Sequence, residues 1–187
     1  MRYTKKMVYL ALLRGVNVGG KAMISMAALR ACLEELQLQD VQTFINSGNL
    51  LLRSAETDRA VLTQKIETAL EVNFRLSVRV LLKTRGELLS LAAAIPDTWV
   101  NDTDTKCDVM FLWPEIDSPQ VLDELPNNPD IEQTRYESGA VLWHIDRKLV
   151  SKSRMTRIIG TRLYHQMTVR NVNTVRKLAA LAEAYDK

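Results

Sequence analysis

Cysteine, histidine and long apolar runs are scarce in this sequence of 187 residues, which has two cysteines and two histidines. Cys32 and Cys107 form no CxxC pair, so a thiolate zinc site is excluded and a reducing compartment is favoured. The longest apolar runs, residues 7–13 (MVYLALL) and 109–113 (VMFLW), are too short to cross a bilayer. The basic start lacks the cleavage site of a secretory signal. We therefore expect a cytoplasmic protein with no membrane partner.

Motifs for catalysis or metal binding are also missing. His144 and His165 lie neither beside a cysteine nor in an HxxxH or HExxH spacing. Neither thiol has a neighbouring base that would activate it, and the acidic residues form no obvious pair. The sequence therefore predicts no catalytic residue, no metal site and no identifiable cofactor, and it leaves open whether the protein is an enzyme.

Positive charge is concentrated in the last quarter of the chain. Residues 143–187 hold ten Lys or Arg against three acidic residues, whereas residues 1–142 hold 15 against 19. The densest basic segment is residues 147–162 (RKLVSKSRMTRIIGTR). Two interpretations stay open: a solvated helix face, or a surface that attracts phosphate groups.

The first half of the chain predicts the element order β-α-β-β-α-β. Strands are predicted at 7–13, 41–45, 49–53 and 77–83, the middle pair flanking the turn signal NSG. Ser25 and Thr57 are predicted to cap the two helices. The second helix should bury its apolar stripe, which consists of Leu62, Ile66, Ala69 and Leu70. TRGE at 84–87 is a capping box that opens a connecting helix, which Pro96 ends.

The second half repeats this order less clearly. Strands are predicted at 107–113, 131–136, 140–145 and 166–169, a short helix begins at Ser118, and residues 153–164 are predicted to be helical. A last helix runs from about Asn171 to Tyr185. The hairpins INSGNLL and YESGAVL also resemble each other. We therefore predict an α+β fold of tandem ferredoxin-like (βαββαβ) halves, with mainly antiparallel sheets and an extra C-terminal helix. The predicted halves are 1–96, including the connecting helix, and 97–187.

The predicted topology places the glycine-rich loop after the first strand beside the first hairpin, at one end of the sheet. An anion could bind there, because glycines let backbone N–H groups approach a ligand, cationic side chains supply charge, and amide side chains supply hydrogen bonds. The candidate ligand-binding residues are Arg14, Asn17, Gly19, Gly20, Lys21, Asn46, Ser47 and Asn49. Ordinary turn chemistry explains the same glycines and asparagines, so both interpretations stay open. A nucleotide P-loop is disfavoured because Ala22 replaces the hydroxyl that holds Mg²⁺.

A second candidate site lies in residues 168–177 (TVRNVNTVRK). Asn171 is a predicted N-cap, and a helix start that displays Arg170, Asn173 and Thr174 is a competent phosphate cradle. Capping alone explains Asn171, so the structural interpretation stays open here too.

Three classes of function remain open. The first is binding of a phosphorylated small molecule. The second is phosphate processing like that of acylphosphatases, a fold-level analogy in which Arg14 binds phosphate and Asn46 orients water. The third is non-specific nucleic-acid binding through Arg154, Arg157 and Arg162. Sequence-specific RNA recognition is disfavoured because the central strands offer only Tyr9 as an aromatic. Self-association into a homodimer is a further alternative.

Four motifs carry a family resemblance: YLALLRGVNVGGK, ISM at 24–26, FINSGNLLLRS and TVRNVNTVRKL. Together they resemble a bacterial family catalogued as domain of unknown function 1697. The resemblance implies a tandem ferredoxin-like α+β fold without an established activity. The matching signature positions are Arg14, Gly15, Asn17, Gly19, Gly20, Ser47, Gly48, Asn49, Thr168, Arg170, Asn171, Asn173 and Thr174. The sequence departs from the family pattern at Val172, where an aromatic is commoner, at Asn46, where Gln is frequent, and at residues 92–99, where Asn-Pro is common.

Overall fold

In the computed structural model, which describes residues 6–18 and 23–186, the chain forms an α+β structure with two four-stranded antiparallel sheets. The chain divides into two compact units: unit 1 comprises Met1–Leu88 and Leu181–Lys187, and unit 2 comprises Leu89–Ala180. The boundary between the units lies between Leu88 and Leu89, and the C-terminal residues belong to unit 1. The repeat boundary expected between residues 96 and 97 stays a prediction.

Unit 1 has the element order expected from the sequence. Its strands and helices are β1 (Met7–Leu13), α1 (Met26–Glu35), β2 (Gln39–Phe44), β3 (Asn49–Ser54), α2 (Arg59–Phe74) and β4 (Val80–Thr84), followed by α3 (Arg85–Ala94). The strand order in the sheet is β2-β3-β1-β4, and every neighbouring pair is antiparallel. β1 is buried on both faces, as its unbroken apolar run predicts.

Apolar residues at helical spacing explain the core of unit 1. α2 buries the four residues predicted for its inner face, Leu62, Ile66, Ala69 and Leu70. In the core, Leu62 and Ile66 cluster with Leu29 and Leu33 of α1 and with alternate residues of β1, such as Ala11. Apolar residues spaced 3.6 apart on the helices therefore pack against apolar residues spaced two apart on the strand, in one layer of the core.

Local hydrogen bonds fix where the helices of unit 1 begin. Ser25 caps α1 as predicted, but the residue that caps α2 is Asp58 and the prediction of Thr57 is wrong. The Asp58 carboxylate accepts two backbone N–H groups, 2.8 and 3.2 Å away, which one Thr hydroxyl could not match as well. The capping box at α3 is confirmed, because Thr84 and Glu87 each accept the other's backbone N–H.

Glu87 has a perturbed pKa as a result of this box. Burial raises the pKa of its carboxyl, but the hydrogen bond from the Thr84 N–H and the Arg59 guanidinium 2.9 Å away outweigh that effect. The net result is a pKa below the ordinary value of 4.5. The charged form of Glu87 therefore stabilises the start of α3.

Unit 2 repeats the strand order of unit 1 with different connections. Its strands are β5 (Thr105–Leu112), β6 (Glu132–Glu137), β7 (Ala140–Asp146) and β8 (Met167–Asn171), in the order β6-β7-β5-β8. The connections are 3-10 helices at Pro114–Ile116, Pro119–Glu124, Arg147–Lys152 and Met155–Ile158, and the short α4 (Arg162–His165). α5 (Val172–Glu183) and a 3-10 turn at Ala184–Asp186 complete the described chain.

Prolines and a glycine explain why the helical segments of unit 2 are short. Pro119 opens a six-residue 3-10 helix, and Pro126 holds the preceding Leu125 extended, with ψ at 133°, which ends it. Ser118 begins this helix but makes no side-chain capping bond. The predicted helix over 153–164 is interrupted at Gly160, whose φ of 85° is incompatible with a right-handed helix.

Within the described residues, every helix is too short or too polar to span a membrane.

Candidate functional site

Two backbone hydrogen bonds join three loops at one end of the unit 1 sheet. The Leu13 N–H donates to the Gly48 carbonyl at 2.8 Å, and the Arg14 N–H donates to the Arg79 carbonyl at 3.0 Å. The loop after β1 and the β2–β3 hairpin are therefore adjacent, as the topology predicted. We call this end the unit 1 rim and define it as residues 14–18, 45–48 and 75–79. Gly19, Gly20 and Lys21 lie outside the described residues, and their part in a site stays a prediction.

Gly48 permits the close approach of the hairpin to β1. Its φ is +68°, and a Cβ at this position would lie 2.7 Å from the Leu13 Cβ and 3.1 Å from the Leu13 carbonyl oxygen. Real Cβ atoms do not tolerate the first distance. The glycine of the NSG signal is therefore required both for its backbone conformation and for the space beside β1.

Ile45 is strained at the tip of the same hairpin. Its φ is 50°, a left-handed conformation that is an outlier for a β-branched residue. The residue is 53 % exposed, so the burial of only part of its apolar surface offsets the strain. The unit 1 rim therefore carries both strained backbone and an exposed aliphatic side chain.

The Asn17 side chain closes its own loop. Its Nδ2 donates to the Ile24 carbonyl at 2.9 Å, and its Oδ1 accepts the Ile24 N–H at 2.7 Å. Asn17 has a φ of 55°, which asparagine adopts more readily than most residues. The amide thus ties the two ends of the glycine-rich segment together, a role that the sequence did not reveal.

The hairpin amides divide into one buried and one exposed group. Asn49 is fully buried, and its Nδ2 donates to the Phe44 carbonyl at 3.2 Å and to the Ser47 Oγ at 2.9 Å. Asn46 is exposed, and Ser47 is partly exposed. Of the three predicted hairpin residues, Asn46 and Ser47 are thus accessible to a ligand, whereas Asn49 shapes the turn.

The charge of the unit 1 rim is positive. Arg14 is partly exposed, Arg75 and Arg79 are exposed, and the three rim segments contain no Asp or Glu. A nearby acid is Glu67 of α2, whose Oε1 accepts the Val80 N–H at 2.7 Å. Sequence reasoning missed Arg75 and Arg79, although the predicted element order already puts the loop before β4 at this end of the sheet.

The C-terminal cluster lies where β8 passes into α5. Asn171 caps the helix as predicted, since its Oδ1 accepts the Thr174 N–H at 2.9 Å. The Arg170 Nη1 donates to the Thr168 Oγ1 at 2.9 Å, and burial lowers the pKa of Arg170 to about 10. The Asn173 Nδ2 donates to the Asn101 carbonyl at 2.8 Å. The structure thus brings the predicted side chains of this cluster together. Asn171 caps α5, Arg170 bonds within β8, and Asn173 bonds to the segment that precedes β5.

Arg176 is a further residue at this place that the sequence did not reveal. Its two terminal nitrogens donate to the carbonyls of Trp99 and Pro96, at 3.0 and 2.9 Å. Trp99 in turn stacks on His144, with ring centroids 5.0 Å apart, and burial lowers the pKa of that histidine. Residues 96–101 are therefore held by hydrogen bonds against the first turns of α5.

These features define an α+β protein with two antiparallel sheets of equal strand order, one of which carries a cationic rim. A family model described as "Protein of unknown function (DUF1697)" matches residues 7–143. The chain belongs to this family, as its motifs indicated. Among curated proteins no match is found. A similar solved structure is that of the conserved bacterial protein SP0830 from Streptococcus pneumoniae, with 27% sequence identity and a TM-score of 0.81. The similarity covers 95% of this chain and 99% of that one.

Proposed function

We propose that unit 1 binds a phosphate-bearing small molecule at its rim. The observation that carries this proposal is the pair of backbone hydrogen bonds, Leu13 to Gly48 and Arg14 to Arg79, which gather three loops without an acidic residue. A phosphate that docks there would meet Arg14 and Arg79 as charge partners. The accessible Ser47 hydroxyl and Asn46 amide would add hydrogen bonds that orient it.

We also propose that each unit is a ferredoxin-like module and that the chain is a tandem repeat with halves 1–96 and 97–187. Support comes from the equal strand orders, β2-β3-β1-β4 and β6-β7-β5-β8. In both sheets the first strand of the unit is central and pairs with the third and fourth strands. On this interpretation the C-terminal unit kept the sheet and replaced its helices by shorter turns.

A titration of the ¹⁵N-labelled full chain with inorganic phosphate and pyrophosphate tests the binding proposal. We expect chemical-shift changes at the amides of Gly15, Ser47 and Gly48, which lie in two rim segments. Arg79→Gln should weaken pyrophosphate binding about fivefold, which corresponds to about 1 kcal/mol for an exposed charge pair.

Arg30→Gln is the matched control. Arg30 is exposed on α1, where its guanidinium lies 3.7 Å from the Glu34 carboxylate. Its replacement removes the same charge from the unit and should leave the affinity unchanged. Equal weakening by both variants would show attraction to net charge alone, and unperturbed rim amides would refute the proposed site.

A further inference from the structure

A small pocket opens on the face of the unit 2 sheet that the 3-10 helices cover. Its volume is about 150 Å³. Its apolar walls come from three strands and from the covering turns: Met110, Trp143, Val169, Met155, Ile158 and Tyr164. All of these residues belong to unit 2, and the predicted rim sites do not include them.

The size of this pocket limits what it can hold. An apolar cavity of about 150 Å³ is large enough to bind benzene. Pockets for whole drug-sized ligands measure about 300–1,000 Å³. One six-membered ring therefore fits inside, and the rest of a larger ligand has to lie outside the mouth.

A hydrogen-bond donor and an acceptor stand side by side in this pocket. Lys106 and Asp108 project from the same face of β5, with Nζ and Oδ2 3.4 Å apart, and both line the cavity. The Lys106 Nζ also lies 5.0 Å from the centroid of the Trp143 ring. Burial raises the pKa of Asp108 against the opposing effect of Lys106. A carboxylate this poorly hydrated gains more from an N–H donor than an exposed one does.

Two exposed arginines adjoin the pocket lining along the chain. Arg154 and Arg157 directly adjoin the lining residues Met155, Thr156 and Ile158 in the chain, and both are exposed. Within residues 6–18 and 23–186, no carboxylate lies within 4.0 Å of either guanidinium. The segment that lines the pocket therefore carries cations of the kind that bind a phosphate group.

We propose that this pocket binds the base of a pyrimidine nucleotide, with Asp108 and Lys106 on the base edge and Arg154 and Arg157 at the phosphate. Uracil and cytosine each place an N–H donor next to an acceptor, which complements a neighbouring carboxylate and ammonium. The aromatic and thioether walls suit the ring faces. This site goes beyond the proposed function, which concerns unit 1.

Titrations of the ¹⁵N-labelled full chain with UMP, CMP, AMP and inorganic phosphate test the pocket. The Trp143 indole N–H is a direct reporter, because the Trp143 ring lines the pocket. A hydrogen bond to the buried Glu132 carboxylate, at 2.7 Å, holds this N–H in place. UMP and CMP should shift this signal and the amides of Met110 and Val169, whereas phosphate should shift only amides near Arg154. AMP should bind more weakly, because its base has two rings. Pocket signals that respond no more to UMP than to phosphate would overturn the proposal, and so would tighter binding of AMP.

Two variants assign the contacts. Asp108→Asn keeps the size of the side chain and should weaken UMP binding about tenfold, as expected for one charge-assisted hydrogen bond. Arg157→Gln should weaken UMP binding and leave uridine binding unchanged. Arg135→Gln, an exposed β6 arginine paired with Glu137, is the control and should bind as the unaltered chain does.

The test does not depend on Asp108→Asn being folded. Arg157 is exposed, so its replacement tests the phosphate contact even if Asp108→Asn unfolds. Affinities for UMP that neither variant changes would refute the assignment.

A titration with a tetranucleotide of uridine distinguishes the two sources of the nucleotide. If the tetranucleotide shifts the same pocket signals at a lower concentration than UMP does, the ligand is RNA. If it binds more weakly than UMP, the ligand is the free nucleotide.

Discussion

Replacement of Gly48 by alanine should destabilise unit 1 more than any other glycine-to-alanine change in its described part. The new Cβ would lie 2.7 Å from the Leu13 Cβ, and the alanine would retain a φ of +68°. The left-handed conformation costs about 1–2 kcal/mol for a residue with a Cβ. The steric overlap adds about 1–3 kcal/mol, as overpacking in cores does. We therefore expect a loss of about 2–5 kcal/mol in the free energy of unfolding.

The matched control is Gly15→Ala. Gly15 has a similar φ of +76°, but within the described residues a Cβ there would meet no atom within 4 Å apart from its neighbours in the chain. This variant should therefore show the conformational cost alone, about 1–2 kcal/mol. Urea unfolding followed by circular dichroism measures both losses, and their difference isolates the contact with Leu13. Equal losses in the two variants would refute the close approach of the hairpin to β1.

Three further predictions concern the same unit. Ile45→Asn should stabilise the hairpin by about 1 kcal/mol in thermal unfolding, because asparagine tolerates the left-handed backbone; a lower melting temperature would contradict this. Asp58→Ala should cost about 1 kcal/mol in urea unfolding through loss of the α2 cap, whereas Thr57→Ala should cost little. The pKa of Glu87 is depressed, so its stabilisation is present above pH 4.5 and is lost as the pH falls through the lower folded-state value. Glu87→Gln should remove this part of the acid dependence in unfolding titrations, and an unchanged profile would show that the capping box is absent.

The fold of unit 1 followed from patterns that act over short distances. The apolar run at 7–13 marked a strand buried on both faces, and the spacing of Leu62, Ile66, Ala69 and Leu70 marked the inner face of α2. The order of these elements then fixed which loops share an end of the sheet. Sequence patterns sufficed here because burial periodicity and topology are geometric consequences of the chain itself.

Other features needed coordinates. Asn17 and Asn49 look like ligand contacts in the sequence, but their amides hydrogen-bond with Ile24, Phe44 and Ser47 inside their own loops. An amide's partners depend on loop conformation, which periodicity does not encode. The helix predicted over 153–164 was also too long, since apolar spacing alone does not show that the left-handed Gly160 interrupts it.

The pocket of unit 2 was hidden for a different reason. Lys106 and Asp108 alternate with Cys107 on a strand, so the sequence shows only an ordinary polar start of β5. Their partner Trp143 comes from another strand, more than 30 residues away. Clusters assembled by cross-strand pairing are invisible until the register is known.

The hydrogen bonds from Arg176 to the carbonyls of Pro96 and Trp99 affect where the chain can be divided into fragments. A fragment that starts at residue 97 lacks the Pro96 carbonyl, which is one of the two backbone acceptors of the Arg176 guanidinium. Residues 96–99 thus support the last helix through hydrogen bonds. A stand-alone version of the C-terminal unit should begin at residue 89, where the compact unit itself begins.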